Sequence, residues 1–256
     1  MKKLWATAIV TGMMLALTAC GVIPTPTPPA PPNGDLPAVA VGDTVPFGTW
    51  RGEPIQWRVL AIEPGKALII ADSPVAIRQY NDQDKAVTWE TSALRKWLAE
   101  EFYPAAFSVL EQQAIQTTTV KTPGNKTYGT PGGADTQDKV FLLSADEAAT
   151  LFADDAARIA SYTMTETDVE YLLGIAKTSW KYDADRLAQY EELLRGVSLG
   201  HSDQISWWLR SPERAKNVAA AVTRDGTPGG WEVYLDGAVR PAMWVNAAVD
   251  PSGTPS

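Results

Sequence analysis

The alternation of apolar and polar residues near the start of the domain predicts a β-meander. Residues 55–59 read Ile-Gln-Trp-Arg-Val, which has the two-residue period of a half-buried strand. A turn sequence at 63–66 separates this strand from the wholly apolar stretch 67–71. The segment 39–50 has the character of an extended opening, so we expect a first unit of antiparallel strands.

Helical signals follow in the middle of the chain. Thr88 can cap a helix with an apolar stripe, and Ser108–Glu111 and Ser144–Glu147 have the pattern of capping boxes. The stretch Asp185–Arg195 has apolar residues on one face and Gly196 after its end, which also predicts a helix. The stripe expected after Thr88 consists of Leu94, Trp97, Leu98 and Phe102.

Strand patterns return after these helices, so the predicted class is α+β. The Gly-, Thr- and Pro-rich stretch Lys121–Gln137 is expected to be a surface loop, and Lys139–Leu143 a buried strand. The strands expected in the last third are Ser206–Arg210, Asn217–Thr223, Trp231–Leu235 and Ala238–Val245.

The N-terminus has the features of a bacterial lipoprotein signal. Lys2 and Lys3 precede an apolar run that ends near Leu17 and is shorter than the ~20 residues of a transmembrane helix. The following Leu-Thr-Ala-Cys20 resembles the lipobox, in which the cysteine is acylated and the chain is cut just before it. We expect residues 1–19 to be a lipoprotein signal peptide and Cys20 to carry the lipid. An ordinary signal peptide is the alternative.

A proline-rich spacer is expected between the lipid and the domain. Residues 20–37 hold seven of the nineteen prolines, which favour an extended polyproline II conformation. At ~3.1 Å per residue, this linker would hold the domain about 50 Å from a membrane. A proline-rich ligand for a partner domain is the alternative. We place a single domain at 38–249 and a disordered tail at 250–256.

Composition restricts the possible functions. The 256 residues carry a formal charge of −8, which cleavage of the signal would change to −10, and this argues against a nucleic-acid partner. The sequence has one histidine and one cysteine. These counts exclude most zinc sites and a disulfide framework, and they exclude any Ser-His-Asp triad that would need a histidine other than His201. We expect neither a metal nor a cofactor. The ten tryptophans predict a core rich in large rings.

Eight short blocks carry a resemblance to a known family. They are Phe47–Thr49, Ile55–Leu60, Thr88–Glu90, Leu94–Leu98, Phe102-Tyr103, Thr136–Ser144, Trp207–Pro212 and Val239–Ala242. In this order they resemble the bacterial domain-of-unknown-function family 6273, DUF6273, which is found in secreted and surface-anchored proteins. The resemblance covers about residues 41–245. The resemblance is lost between about residues 166 and 204, where the chain has the character of an insertion.

That family is in turn similar to the C-type-lectin-like fold of formylglycine-generating enzymes. The similarity implies a single C-type-lectin-like domain whose opening strand near Val45 and closing strand at 239–245 lie side by side. Oxidation by paired cysteines and copper is excluded, because Cys20 is committed to lipid. The calcium-binding tripeptides of animal lectins are absent from the sequence. Asn81–Asp84 and Asp183–Asp185 offer carboxylates, but we interpret them as a polar turn and a helix cap.

Aromatic and charged residues inside these blocks are expected to be structural. Strand alternation puts Trp207 and Trp208 on opposite faces of their strand, one of which should be core. The arginines in apolar blocks are expected to be half-buried and paired with carboxylates, Asp138 being one candidate, because a stranded buried charge costs ~3–5 kcal/mol. The residues expected to be structural are Trp57, Trp89, Arg95, Trp97, Asp138, Trp207, Trp208, Arg210, Arg240 and Trp244.

The turn-rich loops after Pro212 are the candidate binding face. Residues 213–216 and 223–231 are polar loops between strands, and the equivalent stretch faces ligand in C-type-lectin-like relatives. Planar arginine and aromatic side chains are common at binding hot spots. Exposed hairpin loops without a ligand are the alternative. The candidate ligand-binding residues are Arg214, Arg224, Trp231 and Tyr234.

A binding module is the function that the sequence favours. The pairs Glu100-Glu101 and Asp154-Asp155 point different ways on a helix, and His201 lies in a loop-like stretch, so we predict no catalytic residues. We expect an extracytoplasmic lipoprotein, held at the cell membrane by its lipid, that binds a glycan, a peptide or an envelope protein. The alternative is an extracytoplasmic hydrolase that uses carboxylates. A pocket with two converging carboxylates of raised pKa would favour that alternative.

Overall fold

A computed structural model describes residues 34–195 and 202–248 of the chain. It contains both strands and helices, which confirms the α+β class. The predicted signal peptide, Cys20, most of the proline-rich linker, His201 and the tail lie outside the described residues.

The strands and helices are numbered in chain order. The strands are β1 Thr44–Trp50, β2 Glu53–Glu63, β3 Lys66–Ala71, β4 Ala76–Gln79, β5 Thr118–Val120, β6 Thr136–Asp138, β7 Ala160–Thr163, β8 Ser202–Ile205, β9 Trp207–Pro212, β10 Val218–Val222, β11 Pro228–Glu232, β12 Asp236–Val239 and β13 Ala242–Asn246. The helices are α1 Ala93–Trp97, α2 Tyr103–Ala106, α3 Val109–Ala114, α4 Ala145–Leu151, α5 Asp155–Arg158, α6 Glu166–Ser179 and α7 Ala184–Arg195. A 3-10 turn covers Trp89–Thr91 and a π-helical turn covers Leu98–Phe102.

The first sheet is antiparallel and has the strand order β1-β2-β3-β13. Its first three strands form the predicted meander. The expectation that the opening and closing strands lie side by side is wrong, because β1 and β13 occupy opposite edges of this sheet. The apolar strand β3 is buried almost throughout and pairs with a strand on each side. Strand β2 is joined to it by a tight turn, whereas β13 reaches it from a distant part of the chain. The first and last described segments are nevertheless in contact. Leu36, which lies within the predicted linker, is buried and forms a β-bridge with Ala247.

The second sheet has the order β11-β10-β9-β12-β4, and β12 runs parallel to β9 while the other pairs are antiparallel. The single strand expected over 238–245 is two strands in different sheets. They are separated at Arg240-Pro241, because proline cannot donate to a strand ladder. The strand expected at 231–235 lies earlier, as β11, and residues 233–235 form the turn into β12.

The stretch Lys139–Leu143 is not a strand, although four of its residues are buried as expected. Its contact with the first sheet is a single bridge between Phe141 and Ala242. Leu142 and Leu143 instead offer their carbonyl oxygens to Arg210, so their backbone is satisfied without a ladder.

The helix expected after Thr88 begins at Ala93, where the Ser92 hydroxyl accepts a hydrogen bond from the Arg95 amide at 3.1 Å. Thr88 caps only the preceding 3-10 turn. The helix then continues from α1 through the π-helical turn into α2. Pro104 lies just past this turn, and the wider π geometry avoids the clash that its ring would make in a regular α-helix. The capping boxes at the starts of α3 and α4 are confirmed.

The divergent stretch 166–204 forms two helices, of which α7 was expected and α6 was not. Asp183 accepts a hydrogen bond from the Arg186 amide at 3.0 Å, which confirms its predicted role as a helix cap. Helix α6 is tied to the rest of the domain by Asp168, a fully buried carboxylate that contacts Arg51, Tyr162 and Thr165. Helix α6 is therefore packed against the rest of the domain.

Tryptophan rings fill the core from both sides of the second sheet. Trp207 and Trp208 point to opposite faces of β9, and both are fully buried because both faces are covered. Trp57 and Trp97 are also buried, as expected. Trp244 is the exception, since it is only half-buried and its ring packs beneath the Lys66 ammonium at 4.4 Å.

Arg240 differs from its prediction as a half-buried partner of a carboxylate. It is fully buried, and within the described chain no carboxylate lies within 4 Å of it. Its Nε donates to the Ala71 carbonyl oxygen at 2.7 Å, and its guanidinium packs 5.1 Å from the centre of the Trp207 ring. Burial lowers the pKa of Arg240 to about 10, so the residue remains a cation at neutral pH.

Candidate functional site: two clefts beside helix α1

A polar groove of about 660 Å³ lies along one side of α1. The loop that precedes the helix forms one wall, and the chain around β6 forms the other. Acidic and basic side chains alternate along it, with amide and hydroxyl groups between them. The charged lining residues are Asp82, Lys85, Glu90, Arg95, Lys96, Glu100, Asp138 and Lys139. We call this the peptide groove.

Three of the family-like blocks meet at the wall of this groove, on the carboxylate of Asp138. The side chain is almost fully buried and accepts hydrogen bonds from Trp89 Nε1 at 2.9 Å and from Thr136 Oγ1 at 2.6 Å. Arg95 Nε lies 2.7 Å from its other oxygen. Asp138, one of the carboxylates expected to pair with an arginine, thus pairs with Arg95, and it is engaged by three donors within the protein.

Arg210 also pairs as predicted, although it is buried and not half-exposed. Its Nη2 lies 2.7 Å from Glu147, and other guanidinium nitrogens donate to the carbonyl oxygens of Lys121 and Leu142. This interaction joins β9 to α4 and to the chain before β6. Arg210 is thus a structural residue beneath the surface and does not face the groove.

A second cleft of about 430 Å³ lies on the other side of α1. It shares Asp82, Ala93, Lys96 and Glu100 with the peptide groove, so these residues form a ridge between the two depressions. We call it the Arg78 cleft, because Arg78 lines it together with Trp97 and Tyr171. The π-helical turn contributes Glu100 and Glu101 to its rim, and such turns are frequent at functional sites.

The candidate ligand-binding residues do not form one cluster. Arg214 precedes β10 and Arg224 follows it, so the two arginines lie at opposite ends of that strand. Arg214 is exposed and lies 3.2 Å from Glu232. Trp231 is half-buried, with its ring 6.0 Å from the Trp208 ring, so it contributes to packing.

Tyr234 is exposed, and its carbonyl oxygen accepts a hydrogen bond from the Gln79 side chain. Gln79 itself lines the Arg78 cleft. The loop that carries Tyr234 is therefore a neighbour of that cleft, whereas the turn that carries Arg224 packs against α5 through Gly226. Whether any of the four residues contacts a ligand stays a prediction.

The sequence analysis missed Arg78 and Tyr171, the two residues that define the second cleft. Strand β4 is only four residues long, and helix α6 lies in the divergent stretch, so neither had a strong pattern. An arginine directly after the apolar run Val75–Ile77 and a tyrosine on a half-apolar helix were the available signals. The contact between them depends on packing of segments about ninety residues apart.

Catalytic groups do not converge in these clefts in a way that favours a hydrolase. Asp138 is engaged by three internal donors, which leaves it poorly suited to exchange protons with a substrate. Burial raises the pKa of Asp236 to about 6, but this residue lines neither depression. Within residues 34–195 and 202–248, no group of three or more His, Cys, Asp or Glu side chains is arranged to hold a metal ion.

In the part of the chain that the structure describes, no helix is long and apolar enough to cross a membrane.

Comparison with known proteins identifies the family. Neither a search of curated proteins nor a search of solved structures gave a match. The model of the family described as "Domain of unknown function (DUF6273)" matches residues 64–247, which is well over half of the chain. The chain therefore belongs to the DUF6273 family.

Proposed function

We propose that this protein is a non-catalytic binding module, held outside the cytoplasm by a lipid on Cys20, that binds a polar peptide segment. The mixed-charge lining of the peptide groove is the observation that supports this function. A peptide carries amides and both signs of charge, which is the chemistry that the groove offers. The partner is accordingly a peptide or an exposed segment of an envelope protein.

The peptide groove favours a peptide over a glycan because it lacks a free aromatic platform. Tyr103 is the aromatic residue that lines it, and the Lys139 ammonium lies over the Tyr103 ring at 5.2 Å. The Tyr103 hydroxyl is also engaged, since it donates to the Gln112 carbonyl oxygen at 3.1 Å. A sugar ring would have to displace this lysine before it could stack on the tyrosine.

The size of the peptide groove fits a short segment. At about 660 Å³ it lies within the ~300–1,000 Å³ range of ligand sites. Its exposed charged residues include Glu90 and Lys85, whose ammonium also donates to Gln83 Oε1 at 3.1 Å, and they can form charge-assisted hydrogen bonds with a partner. We expect affinity to depend on these exposed charges and not on Asp138, which is used for folding.

An array of random twelve-residue peptides, probed with the detergent-solubilised full-length protein, tests the proposed binding. We expect a set of peptides to bind, and the charge reversals Lys85→Glu and Glu90→Lys each to weaken them at least tenfold. The matched control is Glu170→Lys, which makes the same charge change on the exposed face of α6 and should leave binding unchanged.

Three other outcomes would overturn this assignment. Binding that is lost with Arg214→Ala or Arg224→Ala, and kept with the groove reversals, would place the ligand on the loops after Pro212. Cleavage of the arrayed peptides would favour the hydrolase. An array without any signal above background would contradict a peptide-binding function, and a glycan array probed in parallel would then identify a sugar ligand.

The lipid anchor is tested separately. It is proposed on the resemblance of Leu17–Cys20 to a lipobox. Cells that express the parent protein and are fed radiolabelled palmitate should label it, and the Cys20→Ser variant should remain unlabelled and uncleaved. Equal labelling of the two proteins would contradict the anchor while leaving the peptide array result untouched.

A further inference from the structure

The Arg78 cleft presents a cation that is held in place by aromatic rings. The guanidinium carbon of Arg78 lies 4.0 Å from the centre of the Tyr171 ring and 4.9 Å from that of Trp97. Trp97 is buried. The Tyr171 hydroxyl is held by the backbone amide of Gln79, which donates to it at 3.1 Å. Because both rings are anchored, the guanidinium has little freedom to move before a ligand arrives.

Arg78 has no carboxylate within 4 Å among the described residues. One guanidinium nitrogen donates to the Ile77 carbonyl oxygen at 3.1 Å, and in the described chain the others have no hydrogen-bond acceptor. Burial lowers the pKa of the Arg78 guanidinium, an effect that an anion in the cleft would oppose. Planar guanidinium groups bind carboxylates through paired hydrogen bonds, which makes an unpaired and half-buried arginine a carboxylate receptor.

Tyr171 supplies a second donor at the same place. Its hydroxyl oxygen accepts from the Gln79 amide, while its own hydrogen has no acceptor within the described part of the chain. Since Tyr171 lines the cleft beside Arg78, the two residues can hold one carboxylate between them. This arrangement resembles a clamp with one charged and one neutral donor.

The rim of the Arg78 cleft has the opposite charge. Asp82 and Glu101 line it, and neither forms an ion pair with another described residue. Glu100 is already within 3.8 Å of Lys96 on the ridge. A ligand with a carboxylate alone would be repelled by Asp82 and Glu101, whereas a ligand that also carries an ammonium group would be attracted by both signs of charge in the cleft.

We propose that the Arg78 cleft binds a small zwitterion, a free α-amino acid or a short peptide with both termini free. The carboxylate lies against Arg78 and Tyr171, and the ammonium faces Glu101 and Asp82. A hydrophobic side chain of the ligand packs on the wall formed by Leu94 and Trp97. The cleft and the peptide groove share Asp82, but the peptide array tests Lys85 and Glu90, which line the groove alone, so failure here would leave the array result unaffected.

Ligand-observed NMR titrations of the full-length protein with four probes test the charge requirement. L-leucine and L-leucyl-L-leucine should bind with dissociation constants on the order of millimolar, as suits ligands of this size. N-acetyl-L-leucine lacks the ammonium and L-leucinamide lacks the carboxylate, so each should bind at least tenfold more weakly than leucine. Stronger binding of leucine identifies a free amino acid, and stronger binding of the dipeptide identifies a peptide.

Variants assign the two charges to their residues. Arg78→Gln should weaken leucine binding at least tenfold, and Glu101→Gln, an exposed change that should not disturb folding, should weaken leucine but not N-acetyl-L-leucine. Lys126→Gln makes the same charge change as Arg78→Gln at an exposed residue that lines neither depression, and it should have no effect. Equal binding of leucine and leucinamide, unchanged binding in Glu101→Gln, or no binding of either zwitterion at 20 mM (about tenfold above the expected constants) would overturn the proposal.

Discussion

At the scale of single residues, the wall of the peptide groove depends on the carboxylate of Asp138. Trp89, Arg95 and Thr136 all donate to it, and these residues come from separate segments of the chain. Removal of the negative charge would leave the Arg95 guanidinium, about one quarter exposed, without a partner. Asp138 is therefore a residue that holds the groove in shape.

Asp138→Asn should lower the free energy of unfolding by about 2–3 kcal/mol. The value lies below the ~3–5 kcal/mol for breaking a fully buried pair, because Arg95 keeps some contact with water. Urea unfolding followed by tryptophan fluorescence measures it. Asp82→Asn removes an exposed carboxylate from the same groove and should stay within about 0.5 kcal/mol of the parent. Equal stability of the two variants would show that the Asp138 interactions are not used for folding.

Asp236 predicts a dependence of stability on pH. Burial raises its pKa in the folded protein to about 6, above the ordinary value of 3.8 that it has when unfolded. The folded state therefore holds the proton more tightly, and this contribution to stability is present below about pH 4 and is lost as the pH rises through 6. Ionised Asp236 thus destabilises the fold at neutral pH.

Asp236→Asn should therefore stabilise the protein at pH 7.5 by about 1 kcal/mol, a modest value because the side chain retains exposed surface that screens the effect. The difference from the parent should shrink at pH 4.0. Urea unfolding at both pH values measures it, and a difference that grows on acidification would contradict the raised pKa.

Arg95 and Arg240 show what residue-level prediction can and cannot achieve. Arginine in an apolar block predicts a buried charge with a carboxylate partner, and Asp138 was one candidate partner for these arginines; in the structure it pairs with Arg95. Arg240 instead contacts backbone carbonyl oxygens and aromatic rings, and not a carboxylate. Which group satisfies a buried charge depends on the chain folded around it, and this is not encoded near the residue.

At the scale of elements, two glycines should respond in opposite ways to the same substitution. A Cβ on Gly237 in β12 would lie 2.5 Å from Trp208 Nε1, and the Trp208 ring cannot move because it is fully buried and bonded to the Arg78 carbonyl oxygen. A Cβ on Gly174 in α6 would meet no atom within 4 Å. The first site requires close approach, whereas the second is open.

Gly237→Ala should destabilise the domain by about 2–3 kcal/mol through overpacking against Trp208. Gly174→Ala should stabilise it by about 0.5–1 kcal/mol, because alanine loses less entropy in a helix. Thermal unfolding by circular dichroism compares both with the parent. A stable Gly237→Ala protein would mean that β12 does not lie against the Trp208 ring.

At the scale of the whole molecule, the last strands hold the two sheets together. Strand β12 lies between β9 and β4, and β13 covers the free edge of β3. Between them, Arg240 bonds to the end of β3. Loss of this short segment would leave β4 without a partner, leave one edge each of β3 and β9 unpaired, and expose apolar residues on both sheets.

A chain that ends at Asp236 should therefore lack a cooperative unfolding transition. The matched control is a chain that ends at Ala248, which keeps β12 and β13 and should melt within a few degrees of the parent. Differential scanning calorimetry of both proteins makes the comparison. Cooperative melting of the shorter chain near the parent temperature would show that the closing strands are peripheral.

The amino-acid sequence by itself determined the local elements of this protein. The turn at 63–66 set the β2–β3 hairpin, and the serines at 108 and 144 set the starts of α3 and α4. These features were predictable because their interactions join residues a few positions apart. The order of the family-like blocks was also readable from the sequence, and it indicated the family that the comparison shows.

Only the tertiary structure decided which elements are neighbours and where the clefts lie. It put β13 beside β3 and not beside β1, and it divided the expected last strand between two sheets. It also brought Tyr171 onto Arg78, and Asp138 onto Trp89 and Arg95. Each of these outcomes rests on contacts between distant segments. The free energy of such contacts comes from burying many apolar side chains together, and the choice of partner segments produces no periodic pattern along the chain.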